Sequence, residues 1–228
     1  MDPVNTSAYL EAMGITQWVL RDSPVEGNVA EEFLETDEVV AANHLDWPAL
    51  EQAVSTCTQC PLCEQRTQAV FGVGNQQADW LIVGEAPGEQ EDLQGEPFVG
   101  KAGLLLNNML TAVGLDRHKV YIANIAKCRP PKNRDPDPQE IEKCLPYLQR
   151  QVELIQPKLI LVVGRVAAQT LLKTDTPVGK LRGQLHTYPY PETQIPMIVT
   201  YHPAYLLRRP SEKRKSWDDL KLALTSIQ

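Results

Sequence analysis

The chain has 228 residues, of which 43% are hydrophobic and 22% charged, the makeup of a folded protein rather than a disordered, collagen-like or coiled-coil one. No apolar run approaches the roughly 20 residues that cross a bilayer, and the start, from Met1 to Gly14, is acidic and unlike a secretory leader, so a soluble cytoplasmic protein is expected. The net charge of −7 is uneven: the first 56 residues hold 11 acidic side chains and one Arg, net −10, while the remainder holds 21 basic and 18 acidic ones, net +3, which leaves nucleic acid open as a partner.

The charge step suggests an acidic N-terminal extension, residues 1–50, and a body, residues 51–228. In chain order, the body opens with the apolar run Trp80-Leu81-Ile82-Val83. A helix is predicted over 102–113, with Leu105, Leu106, Met109, Leu110 and Val113 on one face. The run Val120-Tyr121-Ile122-Ala123 follows. Residues 138–155 start with a Pro and acids and repeat apolar residues at Ile141, Leu145, Leu148, Val152 and Ile155, a second helix. Leu159-Ile160-Leu161-Val162-Val163 is a third run, residues 166–172 a short helix, Met197-Ile198-Val199-Thr200 a fourth run, and 209–227 a closing helix. Short continuous apolar runs alternating with helices predict an α/β fold around a parallel sheet buried on both faces.

Each run ends at a polar or glycine-rich turn. Val83 leads into Gly84-Glu85-Ala86-Pro87-Gly88, Ala123 into Asn124, Val163 into Gly164, and Thr200 into Tyr201-His202-Pro203. Ligands of open parallel sheets sit at the carboxyl ends of the strands. Glu85, Asn124 and His202 are therefore expected to converge if these strands are neighbours. Each also has a structural reading: Glu85 and Asn124 as helix caps, His202 as a turn residue, Phe98 as core. Their joint position at strand ends favours a site.

The five cysteines are Cys57, Cys60, Cys63, Cys128 and Cys144. Clustered thiols in a chain of this class suggest metal chemistry rather than disulfides. Four thiolates suit a structural zinc or an iron–sulfur cluster, and spacing alone does not separate the two. Cys63 forms a second Cys-x-x-Cys with Cys60 and competes for the ligand role. Inert buried thiols are the remaining possibility.

One motif is a decoy. Gly95-Glu96-Pro97-Phe98-Val99-Gly100-Lys101-Ala102 approaches a phosphate-binding loop, but Ala102 stands where a hydroxyl must meet Mg²⁺. The segment also lies well beyond its strand, and the third run lacks a metal-binding acid. Nucleotide hydrolysis is therefore not expected.

Cys57-x-x-Cys60-Pro61-Leu62, Gly84-Glu85-Ala86-Pro87-Gly88, Gly95-Glu96-Pro97-Phe98-Val99-Gly100, Asn124, Lys127-Cys128-Arg129-Pro130-Pro131 and His202-Pro203-Ala204 together resemble the family 4 uracil-DNA glycosylases, in the family's order. The likeness runs from about residue 53 to residue 227. It implies a three-layer α/β/α fold with a central four-stranded parallel sheet. It also implies a [4Fe–4S] cluster held by Cys57, Cys60, Cys128 and Cys144, with Cys63 outside the set. The implied uracil pocket has Glu85 and Ala86 along it, Glu91 nearby, Phe98 stacking on the base, Asn124 reading its polar edge and His202 facing O2.

Those residue types suit the chemistry. An amide can accept from N3–H of a flipped uracil and donate to O4. A histidine donor at O2 meets the charge that develops there. A carboxylate, Glu85, can stabilise the cationic sugar and position water. Arg129, Lys132 and Arg134, with Lys127, form a basic loop around Cys128, and Arg208 and Arg209 follow the histidine motif, so phosphate contacts are expected there. Leu206 or Leu207 could wedge into the gap left by the flipped base. The competing function is a non-catalytic DNA-binding or replisome adaptor with the same fold.

Residues 9–21 are similar to the N-terminal peptide of the clamp-loader psi subunit, through Leu10, Met13-Gly14-Ile15-Thr16-Gln17-Trp18 and Leu20-Arg21. That likeness implies docking on the chi subunit, with Ile15, Trp18 and Leu20 as anchors. The body is expected to act as a monomer on uracil-containing DNA.

Overall fold

All four apolar runs are strands of one sheet in the computed structural model, which describes residues 42–189 and 194–227. The psi-like tract, residues 9–21, lies outside the described residues. The strands are β1 (Val73–Gly74), β2 (Trp80–Gly84), β3 (Tyr121–Asn124), β4 (Leu159–Val163), β5 (Leu185–Pro189) and β6 (Gln194–Thr200), and they lie side by side in the order β1-β3-β2-β4-β6-β5. The inner four are parallel. β1 and β5 add antiparallel edges, so the sheet has six strands around the expected four. Neither edge forms an apolar run: β1 is two residues long, and in β5 Leu185 and Thr187 are exposed while Tyr188 is buried.

The helices are α1 (Trp47–Ser55), α2 (Glu89–Gln94), α3 (Lys101–Ala112), α4 (Pro138–Ile155), α5 (Arg165–Leu172), α6 (Val178–Leu181), α7 (Pro203–Arg208) and α8 (Lys213–Thr225). Alternate strand residues face opposite layers. Leu81, Val83, Ile160, Val162 and Val199 pack with Leu148 and Val152 of α4 and Ala168 and Leu171 of α5. Ile82, Ile122, Leu161 and Ile198 pack with Leu106 and Leu110 of α3 and Leu220 and Ala223 of α8. Both faces of the sheet are thus covered, which explains why the strands read as unbroken apolar runs.

Two boundaries differ from the sequence reading. The closing helix begins only at Lys213, because Pro210 has no N–H for a continuous helix and a 3-10 turn, Pro210–Glu212, intervenes after α7. At the other end, α1 runs across residue 50. Its Leu50 and Val54 are buried with Phe71 and Tyr147, and Trp47 meets Phe71 and Tyr121 edge-on, with ring centroids 5.3 and 5.2 Å away. The residues from Ala42 onward therefore pack as part of the body. No helix among the described residues is long and apolar enough to cross a membrane.

Strand register sets the site. β2 and β3 end level, with Gly84 opposite Asn124, and β4 and β6 end level, with Val163 opposite Thr200. The residues that follow these ends share one edge of the sheet. α4 is anchored beside this edge by a capping box: Asp137 caps the helix, and its own N–H donates to Glu140 Oε2 at 2.7 Å.

Candidate active site

An open cleft of about 860 Å³ lies at the carboxyl ends of the parallel strands. Glu85, Ala86, Glu91, Phe98, Asn124, His202 and Arg208 all line it, so the sequence-predicted pocket residues are brought together. Asp135, Arg165, Tyr201 and Tyr205 line it as well and were not foreseen.

Asn124, the last residue of β3, is 2% exposed, and its Oδ1 is buried with no hydrogen-bond partner. A buried carbonyl left without a donor is costly. Here it is a fixed acceptor at the cleft wall. Gly84 opposite it admits the approach: a Cβ there would lie 2.3 Å from Asn124 Oδ1 and 2.6 Å from Phe98 Cζ.

Phe98 is buried in a left-handed conformation, with φ of 55°, which is unfavourable for a bulky side chain. Its loop is held from three directions. Glu91 Oε1 accepts from the N–H groups of Val99 and Gly100, both at 3.0 Å. The Arg117 guanidinium donates to the carbonyls of Pro97 and Phe98. Gly103 lets α3 press in, since a Cβ there would sit 1.7 Å from the Phe98 carbonyl. Glu91 is therefore first a holder of the Phe98 loop. Arg117 and Gly103 carry no local motif that would have marked them.

The His202 ring stacks beside Phe98, centroids 5.6 Å apart with 30° between planes. His202 is also the N-cap of α7, and its Nδ1 accepts from Ala204 N–H at 3.1 Å. Burial, reinforced by Arg208, pushes its pKa down to about 4, against a weaker opposing effect of Glu91. The ring is consequently neutral near pH 7, with the proton on Nε2, the nitrogen free to donate.

Glu85 has the opposite shift. Burial first, and then the neighbouring, hydrogen-bonded Asp135 carboxyl, push its pKa up to about 7, while Arg165 pulls it down. Arg165 forms an ion pair with Asp135. Asp135 was missed because Arg134-Asp135-Pro136-Asp137-Pro138 reads as a helix-capping segment.

The basic residues divide. Arg208 lines the cleft, and Lys132 and Arg209 are exposed near its rim elements. Arg129 Nε donates to Asn133 Oδ1 at 2.7 Å. Arg134 is engaged by the Glu140 carboxylate through two bonds of 2.9 and 2.7 Å, which ties it to the α4 cap. Lys127 is a correction: at 1% exposure it is buried and donates to Gln151 Oε1 at 2.6 Å and to the Phe71 carbonyl at 3.2 Å, out of reach of a phosphate. Leu206 is a second correction. It is 1% exposed and packs in the core, so it is not a wedge, whereas Leu207 is 43% exposed.

All five cysteines line a second, small cavity with Arg66, Lys127 and Tyr147. Arg66 Nη1 donates to Cys128 Sγ at 2.9 Å, its Nη2 donates to the carbonyls of Ser55 and Cys57 at 3.0 and 2.9 Å, and Lys127 N–H donates to Cys144 Sγ at 3.1 Å. N–H donors aimed at sulfur suit thiolates. Among the described residues, no three His, Cys, Asp or Glu side chains stand close enough together to hold a single metal ion. An all-thiol donor set around one cavity fits a larger thiolate-bound group.

A parallel sheet with a buried amide acceptor, a neutral imidazole donor and a carboxyl at its strand ends defines a pocket for a flat heterocycle. The model of the uracil DNA glycosylase superfamily matches residues 71–221, and the chain belongs to that superfamily, in its type-4 group. A type-4 uracil-DNA glycosylase of Archaeoglobus fulgidus is 45% identical over 172 residues, 74% of this chain and 86% of the relative. That of Sulfurisphaera tokodaii is 42% identical over 177 residues, 75% and 80% of the two chains. That of Pyrobaculum aerophilum is 38% identical over 182 residues, 78% and 93%.

Proposed function

We infer that this protein is an enzyme that removes uracil from DNA by hydrolysing its N-glycosidic bond, the first step of base excision repair. The observation that carries the reading at this pocket is the buried, unpartnered Asn124 Oδ1. Uracil presents N3–H as a donor, whereas N3 of cytosine is an acceptor, so a fixed acceptor selects uracil. The base must leave the duplex to reach it. In the cleft, Phe98 supplies an apolar wall, and Gly84 behind it lets the Phe98 ring and the Asn124 amide sit close together.

His202 acts at O2. Its neutral ring donates from Nε2 while Nδ1 is held by Ala204 N–H, so the donor is orientated before the substrate arrives. Negative charge grows on O2 as the bond breaks, and one such donor contributes about 3 kcal/mol to that transition state. Glu85, once ionised, lies where it can stabilise the positive sugar and orient water. Arg208 at the cleft, with Arg129, Lys132 and Arg209, supplies phosphate contacts, and Leu207 is the apolar wedge. Arg134 supports the loop between them.

Cys57, Cys60, Cys128 and Cys144 would hold a [4Fe–4S] cluster, with Cys63 outside the set. The cluster would cross-link the segment after α1, the loop after β3 and helix α4. The shared cavity and the N–H donors to Cys128 and Cys144 support this. The acidic extension, through residues 9–21, docks on the chi subunit, which its likeness to psi supports. The enzyme works as a cytoplasmic monomer.

The test uses single- and double-stranded oligonucleotides with one uracil, treated with alkali after incubation. Strand scission at uracil and not at thymine is expected. No scission by iron-replete protein would remove the reading.

A further inference from the structure

The carboxyl ends of three parallel strands feed one polar chain along the cleft. Glu85 follows β2, Asp135 lies in the loop after β3, Arg165 opens α5 after β4, and all three line the cleft. Glu85 is hydrogen-bonded to Asp135, and Asp135 is ion-paired to Arg165. Arg165 Nη1 donates to Gln169 Oε1 at 3.2 Å, and Gln169 Nε2 donates to the Asp175 carbonyl at 2.9 Å. That last contact fixes the segment leading to Pro177 and Val178 on another wall of the cleft.

The loop carrying Asp135 is held at its own cost. Lys132 and Asn133 are both left-handed, with φ of 56° and 54°. Such a conformation persists where surrounding contacts over-determine it. Here Arg129 holds Asn133, and the fork of Arg134 on Glu140 fixes the next residue. Asp135 is thereby delivered to Glu85.

We propose that Asp135 is a positioning residue for Glu85: its carboxylate, held by Arg165, faces the Glu85 carboxyl across their hydrogen bond and keeps the proton on Glu85. The proposal rests on the reading of Glu85 as the carboxylate beside the sugar. A carboxyl beside a charged carboxylate ionises less readily, so the Glu85 proton leaves late. The upward shift of Glu85 agrees with this. Glu91 from α2, and His202 and Arg208 from α7, also line the cleft, but the charges that act on Glu85 are those of Asp135 and Arg165.

The arrangement has a functional consequence. While it holds its proton, Glu85 is a weak partner for a cationic sugar. Loss of that proton arms it. Asp135 therefore raises, beyond what burial does, the pH at which the enzyme becomes active, without touching uracil.

The experiment measures cleavage of a uracil-containing single strand at sub-saturating DNA from pH 5 to 9, a regime that reports the free enzyme. The wild type should show an acid limb near 7, where Glu85 titrates. Asp135→Asn keeps a hydrogen-bonding side chain but removes the second carboxyl, and the limb should move down by about one pH unit or more. Asp135→Ala should move it in the same direction, with a plateau lowered about tenfold because Glu85 is no longer held. Glu85→Gln should abolish the limb and the activity. A limb that stays at the wild-type pH in Asp135→Asn and Asp135→Ala, while Glu85→Gln is inactive, overturns the role of Asp135. Full activity in Glu85→Gln overturns the reading of Glu85 on which the proposal stands. Asp135 is exposed, so both variants should melt with the wild type; a merely structural residue would change stability and leave the limb in place.

Discussion

Placing a methyl group on Gly84 separates recognition from DNA binding. In Gly84→Ala the new Cβ would lie 2.3 Å from Asn124 Oδ1 and 2.6 Å from Phe98 Cζ. Ordinary carbon contacts begin at about 3.5 Å, so the amide and the ring must each recede by about 1 Å. Neither can do so freely. Asn124 closes β3 in register with Gly84, and the Phe98 loop is tied to Glu91 and Arg117. Overpacking of this kind costs about 1–3 kcal/mol, or about 2–12 °C in melting temperature for a body of this size. The displacement of a recognition group by about 1 Å lowers the chemical step by about 100-fold. The proposed phosphate contacts do not involve Gly84, Asn124 or Phe98, so DNA affinity should stay within about threefold. Single-turnover cleavage, fluorescence anisotropy with an abasic-analogue strand, and thermal melting measure the three quantities. A variant that cleaves within about threefold of wild type while remaining folded would refute the assignment of Asn124 and Phe98 to the base pocket.

Three further outcomes are expected. Leu206→Ala should lower stability by about 2–5 kcal/mol, whereas Leu207→Ala should leave the melting temperature unchanged and slow cleavage of duplexes more than of single strands; equal slowing of both substrates removes the wedge. For His202, the fold favours the neutral ring, so its contribution is fully present above 6.5 and is lost as pH falls from 6.5 towards about 4. The loss amounts to at most about 3 kcal/mol, less for the part of the ring still in contact with water. Urea unfolding of wild type and His202→Gln should diverge in slope between pH 7 and 4.5, and parallel slopes would contradict the neutral assignment. For the cysteines, anaerobically purified protein should contain iron rather than zinc. Cys63→Ser should retain that iron and Cys128→Ser should lose it, as read by iron content per chain; the reverse pattern would reassign the ligands.

The proposed mechanism joins two groups whose surroundings move their proton affinities apart. Burial keeps His202 neutral and makes it a donor, and burial beside a second carboxyl keeps a proton near Glu85. The same cleft thus imposes opposite consequences on a base and an acid, because low polarity disfavours the charged form of each.

The central sheet was legible in the sequence because its four strands are buried on both faces, and no other element leaves continuous β-branched runs of that length. The convergence of Glu85, Asn124 and His202 followed from the rule that parallel strands end on one edge, on the condition that the strands are neighbours, and the order β3-β2-β4-β6 met that condition. The edge strands β1 and β5 were not legible, since a half-exposed or two-residue strand is defined by its partner's hydrogen bonds and not by its own composition. Lys127 and Leu206 show the same limit for side chains. Both lie in segments that read as DNA-facing, yet local sequence does not say which way a residue points at a strand end or on a two-turn helix. Packing against Gln151 and Phe71 decided the first, and the core beneath α7 decided the second. Asp135, Arg165 and Arg117 act through partners roughly 20 to 50 residues away in sequence. Such pairings exist only once the strand order brings three loops to one rim, and only the tertiary structure decides that.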